Sequence, residues 1–207
     1  MDIQFYGANC ITFTHKGVRI VVDDNLAELG AKSIVKADDI VLYTGQHDEN
    51  APTGRLMFDS PGEFEVSDIS IVGIPERAHL DEGGLRATMF KIITNDISVL
   101  VVGHVYPNIN DDQLERIGMV DVMVVPVGGS GYTLDPLGAL KLIKEIEPKL
   151  IIPTHYGMSG INYPVPQTEL ATALKELGME SREQSGKLKL KSTDFSDVAQ
   201  LVVLEKI

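Results

Sequence analysis

Four imidazoles stand where the chain leaves a short apolar run: His47, His79, His104 and His155. A neutral imidazole offers a nitrogen lone pair without the desolvation cost of a full charge, which suits it to zinc and similar ions. If the loops carrying these four converge on one rim, three or four of them can surround a single ion. If they do not, each ring simply satisfies a local hydrogen bond. Asp48-Glu49 beside His47 adds a carboxylate that could serve as a ligand or as a general base for metal-assisted hydrolysis, although acidic loop residues are more often only solvated. The fifth histidine, His15, falls in a hairpin turn and carries no such chemistry.

Other chemically capable residues read as structural. Gly128-Gly129-Ser130-Gly131 could cradle a phosphate but lacks the lysine and the helix start of a P-loop, so a tight turn is expected. Ser130 has no evident base partner. Cys10 lies inside an apolar strand and reads as a packed thiol. Asp23-Asp24 ends a strand and organises a loop.

The elements that must position the histidines follow from punctuation and periodicity. Strands are expected over Ile3–Phe5, Cys10–Thr14, Val18–Asp23, Asp39–Tyr43, Arg55–Phe58, Ile69–Ile74, Thr88–Ile93 and Ser98–Val102. Thr14-His15-Lys16-Gly17 joins two of them as a hairpin. Beyond residue 110 the pattern alternates: a helix at Asp112–Ile117, a strand at Val120–Val125, a helix at Pro136–Ile146 and a strand at Lys149–Ile152. A helix at Gln167–Leu177 then stops at Gly178, and strands follow at Lys187–Lys191 and Ala199–Leu204. Asp135 as N-cap and Pro136 in the first turn favour the second helix. The order suggests a mixed α/β body with helices covering stacked sheets, in one domain over residues 1–207.

Composition narrows the function. Of 207 residues, 18 are Lys or Arg and 30 are Asp or Glu, giving a formal net charge of -12, which disfavours electrostatic binding to nucleic acid or to an anionic membrane. A single cysteine supports neither a disulfide framework nor a Cys-rich zinc site. With no signal-peptide pattern and no membrane-length apolar run, a cytoplasmic location is expected. Exposed sheet edges permit a homodimer without requiring one.

Several stretches together resemble the metallo-β-lactamase superfamily, in particular its small single-domain metal-dependent hydrolases. They are Tyr6-Gly7-Ala8-Asn9-Cys10, the strand ending at Asp23, Asp39–Thr44, Ser60–Val66 with Ile69–Pro75 and His79, Val120–Gly129, Tyr132–Pro136 and Pro153-Thr154-His155-Tyr156-Gly157. The resemblance implies a four-layer αββα sandwich, with one or two metal ions on the rim activating water. It also implies site residues. The family loop Thr-His-x-His-x-Asp-His is matched by Thr44-Gly45-Gln46-His47-Asp48-Glu49-Asn50. His47 keeps the second histidine, while Gly45 and Asn50 replace two others and Glu49 stands for the Asp. His79 and His155 match later histidines, His104 replaces the bridging Asp, and Ala8 replaces an outer histidine.

A histidine cannot bridge two ions as a carboxylate does, so the expected site is mononuclear. Its ligands would be His47, His79, His104, His155 and Glu49, with Glu49 also the proton acceptor. It would hold one divalent ion (zinc, with manganese or iron as alternatives) and hydrolyse an ester, amide or phosphoester of an unidentified small molecule. The competing expectation is an inactive descendant that binds no metal and keeps the sandwich as a binding or structural module.

Overall fold

The computed structural model describes residues 1–80, 86–184 and 186–207. Two sheets form the body. The first is built from β1 (Asp2–Gly7), β2 (Cys10–His15), β3 (Val18–Val22), β4 (Ile40–Leu42), β5 (Leu56–Phe58) and β13 (Leu188–Lys189), in the order β13-β1-β2-β3-β4-β5. The second uses β6 (Gly62–Val66), β7 (Ile69–Arg77), β8 (Arg86–Ile93), β9 (Ser98–Val101), β10 (Val122–Pro126), β11 (Leu150–Thr154), β12 (Ser181–Gln184) and β14 (Gln200–Leu204), in the order β12-β14-β11-β10-β9-β8-β7-β6. Among the described residues, helices α1 (Asp111–Ile117), α2 (Pro136–Ile146) and α3 (Leu170–Leu177) complete the regular structure apart from one 3-10 turn at Ser192–Asp194.

Alternation along the strands explains why the sheets stack. Ile3, Phe5, Ile11, Phe13, Ile20, Val22, Ile40 and Leu42 are buried together with the apolar residues of the second sheet in one core. The intervening residues Cys10 and Val21 face the other way and join Leu26 and Ile161 in a smaller cluster. In the second sheet, β10 and β11 are buried at every residue, as expected of parallel strands covered on both faces.

The two outer layers differ. Helix α2 packs on β10 with α3 beside it, and α1 packs against β7. The outer face of the six-stranded sheet is instead covered by irregular chain, including Leu26, Leu29, Ile34 and Val35. Asp24 holds that segment: its Oδ2 accepts from the Ser33 hydroxyl and from the Ile34 and Val35 amides at 2.7, 2.7 and 3.0 Å. One buried carboxylate thus does the work of several helical carbonyls. Beneath this layer Cys10 is wholly buried, and burial first, then the charges of Asp24 and Asp23, push its thiol well above the usual range.

Local signals act as expected at several joints. Lys16 and Gly17, at φ 47° and 85°, form the two-residue turn between β2 and β3. Asn110 and Gln113 cap α1 reciprocally, and the Gln113 side-chain amide also donates 2.7 Å to the Pro75 carbonyl on β7. Asn110→Ala is expected to cost about 1 kcal/mol, read as a lower urea midpoint with an unchanged slope. No helix among the described residues is long and apolar enough to cross a membrane.

Candidate functional site

Parallel strands bring their carboxyl ends to a common edge, and both sheets contribute such ends to the same rim. In the second sheet β9, β10 and β11 run parallel and are followed by Gly103-His104, Val127-Gly128 and His155. In the first, β3 and β4 run parallel and are followed by Asp23 and Thr44-Gly45. The rim is stitched across the sheets: the His155 amide donates to the Ala8 carbonyl and the Thr88 amide to the Thr44 carbonyl, each at 2.8 Å.

Beneath the rim runs a buried polar chain. The Thr154 hydroxyl donates to Asn9 Oδ1 at 2.6 Å, and Asn9 Nδ2 donates to Asp23 Oδ2 at 3.2 Å. Asp23 also accepts from the Thr44 amide at 2.7 Å and the Thr44 hydroxyl at 2.6 Å. Burial without a paired cation raises the Asp23 carboxyl to about 6, against the pull of these hydrogen bonds. Gly103 lies so close to this chain that a Cβ there would stand 2.2 Å from Thr44 Oγ1.

His104 and His155 meet edge to face with ring centroids 4.7 Å apart. His155 is flanked by Tyr132 at 5.7 Å and Tyr163 at 5.0 Å. Its φ of 56° is a left-handed conformation uncommon outside glycine and found at functional sites. Gln167 fixes its tautomer. The Gln167 Nε2 donates to the Val165 carbonyl, which turns Oε1 toward His155 Nδ1 at 3.0 Å; Nδ1 therefore carries the proton and Nε2 the lone pair. A Cβ on Gly128 would lie 2.0 Å from that Oε1, so only glycine lets the pair form.

His79 is tied beside His104, its amide donating to the His104 carbonyl at 2.8 Å and its Nδ1 to the Val105 carbonyl at 3.3 Å. Desolvation lowers His155 to about 4 and, with His155 and His79 nearby, lowers His104 well below the usual imidazole range. Both rings are neutral at pH 7. His104 Nδ1 is buried with no hydrogen-bond partner.

The other two sequence-derived candidates lie elsewhere. His47 stacks on Tyr43 at 4.3 Å and bonds Asp59 Oδ2 at 3.3 Å, while Glu49 is exposed on the adjoining loop. His47→Ala should therefore change stability by less than about 1 kcal/mol, checked by urea unfolding. Gly45 and Gln46 occupy the stretch of this loop that lines the rim cleft. Among the described residues no three His, Cys, Asp or Glu side chains stand in position to hold an ion together.

The cleft has two lobes, of about 140 and 60 Å³. Asn25, Gln46, His104 and Tyr132 line both; Arg86 and Leu80 border the larger, Asp23, Glu28 and His155 the smaller. Asp23, Asn25, Tyr132 and Gln167 were not expected at the site from sequence. The Gly-Gly-Ser-Gly segment is a tight turn, with Gly129, Ser130 and Gly131 all at positive φ.

An open two-sheet sandwich with its polar side chains gathered along one rim defines a metallo-β-lactamase-type scaffold. The β-lactamase superfamily domain model matches residues 2–155, and the chain belongs to that family. A UPF0173 metal-dependent hydrolase of Pyrococcus abyssi is 25% identical over 160 residues, 74% of this chain and 69% of that one. The crystal structure of a metallo-β-lactamase superfamily protein from Thermotoga maritima superposes with a TM-score of 0.76 at 24% identity, covering 100% of this chain and 99% of the other. A metallo hydrolase from Ignicoccus hospitalis follows the same fold, with a TM-score of 0.59 at 17% identity over 86% of this chain and 90% of its own.

Proposed function

We propose that this chain is a divergent member of the superfamily that retains the rim cleft as a binding site for a small polar molecule and lacks the two-ion hydrolytic centre. The observation that carries the reading is the placement of the five candidate ligands. His104 and His155 meet, His79 stands beside His104, and His47 and Glu49 are held apart on another loop. A carboxylate can bridge two ions through its two oxygens, whereas a neutral histidine at position 104 offers a single nitrogen lone pair.

One arrangement favours a second reading, a single-ion hydrolase. His79 and His155 each donate Nδ1–H to an oxygen, which leaves both Nε2 lone pairs available, the state of metal-bound imidazoles in general. A shift of His79 toward the neutral His104–His155 pair would gather three nitrogen donors for zinc, manganese or iron, and the metal-dependent hydrolase relatives are consistent with that use.

Elemental mass spectrometry on protein purified without chelator, then reconstituted, separates the two. The binding reading expects no stoichiometric metal. About one equivalent per chain, lost in His155→Ala, would establish the single-ion site instead.

A further inference from the structure

Two sets of polar side chains line the smaller lobe. On its floor Asn9 and Asp23 are spent, because every polar side-chain atom of both is bonded within the chain that runs from Thr154 to Thr44. On its wall Glu28, Gln46 and Tyr132 make no hydrogen bond or ion pair among the described residues. Glu28 and Gln46 are exposed, so water serves them. Tyr132 is half-buried, where a phenol ordinarily finds a partner, yet its hydroxyl is neither bonded nor sealed from solvent. The ring is also fixed. His104 meets it edge to face at 5.4 Å and His155 stacks on it at 5.7 Å. The Tyr132 amide donates to the Gly129 carbonyl at 3.2 Å, and the Ser130 hydroxyl of the same turn donates to the Pro166 carbonyl. A donor held this way loses little freedom when a ligand arrives.

We infer that Tyr132 is the specificity-determining residue of the cleft and that its ligand is an uncharged molecule with a carbonyl beside a free N–H. The carbonyl oxygen accepts from the Tyr132 hydroxyl, and the N–H donates to the Glu28 carboxylate. A phenol keeps its proton at neutral pH and offers a donor, a carboxylate offers only acceptors, and a carboxamide or urea carries both complements side by side. Gln46 borders both lobes together with Tyr132, and its side-chain amide can serve either atom. A carboxylate in the same place would face Glu28, and an ammonium would offer Tyr132 no acceptor. This inference deepens the binding reading proposed above and rests on it.

The test is ligand-observed NMR titration of the full chain, in chelator, with propanamide and N-methylurea, and with propanoate and propylammonium as charged counterparts. At least one of the two neutral probes is expected to bind saturably, with propanoate weaker by about tenfold or more. Tyr132→Phe removes only the hydroxyl, so it should weaken that neutral probe about tenfold and leave propylammonium unchanged. Glu28→Gln should weaken the neutral probe and strengthen propanoate, because the repelling charge is gone. Circular dichroism checks the fold of both variants. Glu28 is exposed, so its variant still reads the wall if the Tyr132 change disturbs the ring packing. Equal affinity of wild type and Tyr132→Phe for the neutral probe, propanoate binding as tightly as that probe, or no saturable binding of either neutral probe overturns the inference. Because the titrations use metal-free protein, their failure is separate from metal uptake, which instead tests the reading beneath.

Discussion

Alanine at Gly103 is expected to cost about 3–5 kcal/mol, a large share of the stability of an ordinary domain. The new methyl carbon would stand 2.2 Å from Thr44 Oγ1 and 2.3 Å from Thr44 Cβ, well inside van der Waals contact. Thr44 cannot retreat, because its amide and hydroxyl are both held by Asp23. The φ of 69° adds a left-handed penalty of about 1–2 kcal/mol for any residue with a Cβ. Gly131→Ala isolates the contact: its φ is 70°, yet a Cβ there meets nothing within 4 Å. That variant should lose only the backbone penalty. Urea unfolding of the two proteins side by side decides it, and equal midpoints would show that the approach of Gly103 to Thr44 contributes nothing.

The second large effect concerns pH. Asp23 is raised from 3.8 to about 6, so the folded chain binds that proton more tightly than the unfolded one. Its contribution to stability is full below about pH 4 and lost as the pH rises to 6, a swing of about 3 kcal/mol. His155 works in the opposite sense. Lowered from 6.5 to about 4, it stabilises fully above pH 6.5 and loses that contribution as the pH falls through the same window. His104 is lowered too and adds to the histidine side. The opposed slopes leave the wild-type chain with a shallow acid limb. Asp23→Asn removes one of them, and its stability should fall by about 2 kcal/mol more than the wild type's between pH 6 and 4, followed by urea unfolding in chelator. A variant whose slope matches the wild type would mean that Asp23 does not titrate in this range.

The histidines were partly legible because strand ends can be read from punctuation. His104 and His155 follow apolar strands, β9 and β11, that both pair in parallel with β10 between them, so they share a rim. His47 also follows a strand, but with Gly45 and Gln46 lining the cleft its ring finds a closer partner in Tyr43. Its turning aside is a tertiary choice that spacing does not encode. Asp23 and Asp24 were legible only as a pair that organises a loop. The structure divides them: Asp24 holds the loop, and Asp23 turns under the site.

Most strands and all three helices fall where hydrophobic pattern and caps put them, with shifted ends. Helix α3 begins at Leu170 rather than Gln167, since residues 167–169 are engaged elsewhere. Gln167 reaches His155, Thr168 bonds the Gly128 carbonyl, and Glu169 bridges to Gly157. The unexpected strands β6 and β12 are sheet edges. Gly62–Val66 and Ser181–Gln184 carry few apolar residues because an edge strand packs little and is kept polar against pairing with other chains.

The burial of Cys10 makes the chain its own reporter. Its sulfur sits between the six-stranded sheet and the covering loop, and its suppressed ionisation leaves little thiolate to react. A thiol reagent, or the cysteine of a second chain, can reach it only after that loop or the sheet has opened. With one cysteine in the sequence, the rate of single-site labelling counts those openings directly. Disulfide-linked dimers appearing on storage would record how often molecules have come apart, rather than how their intact surfaces meet.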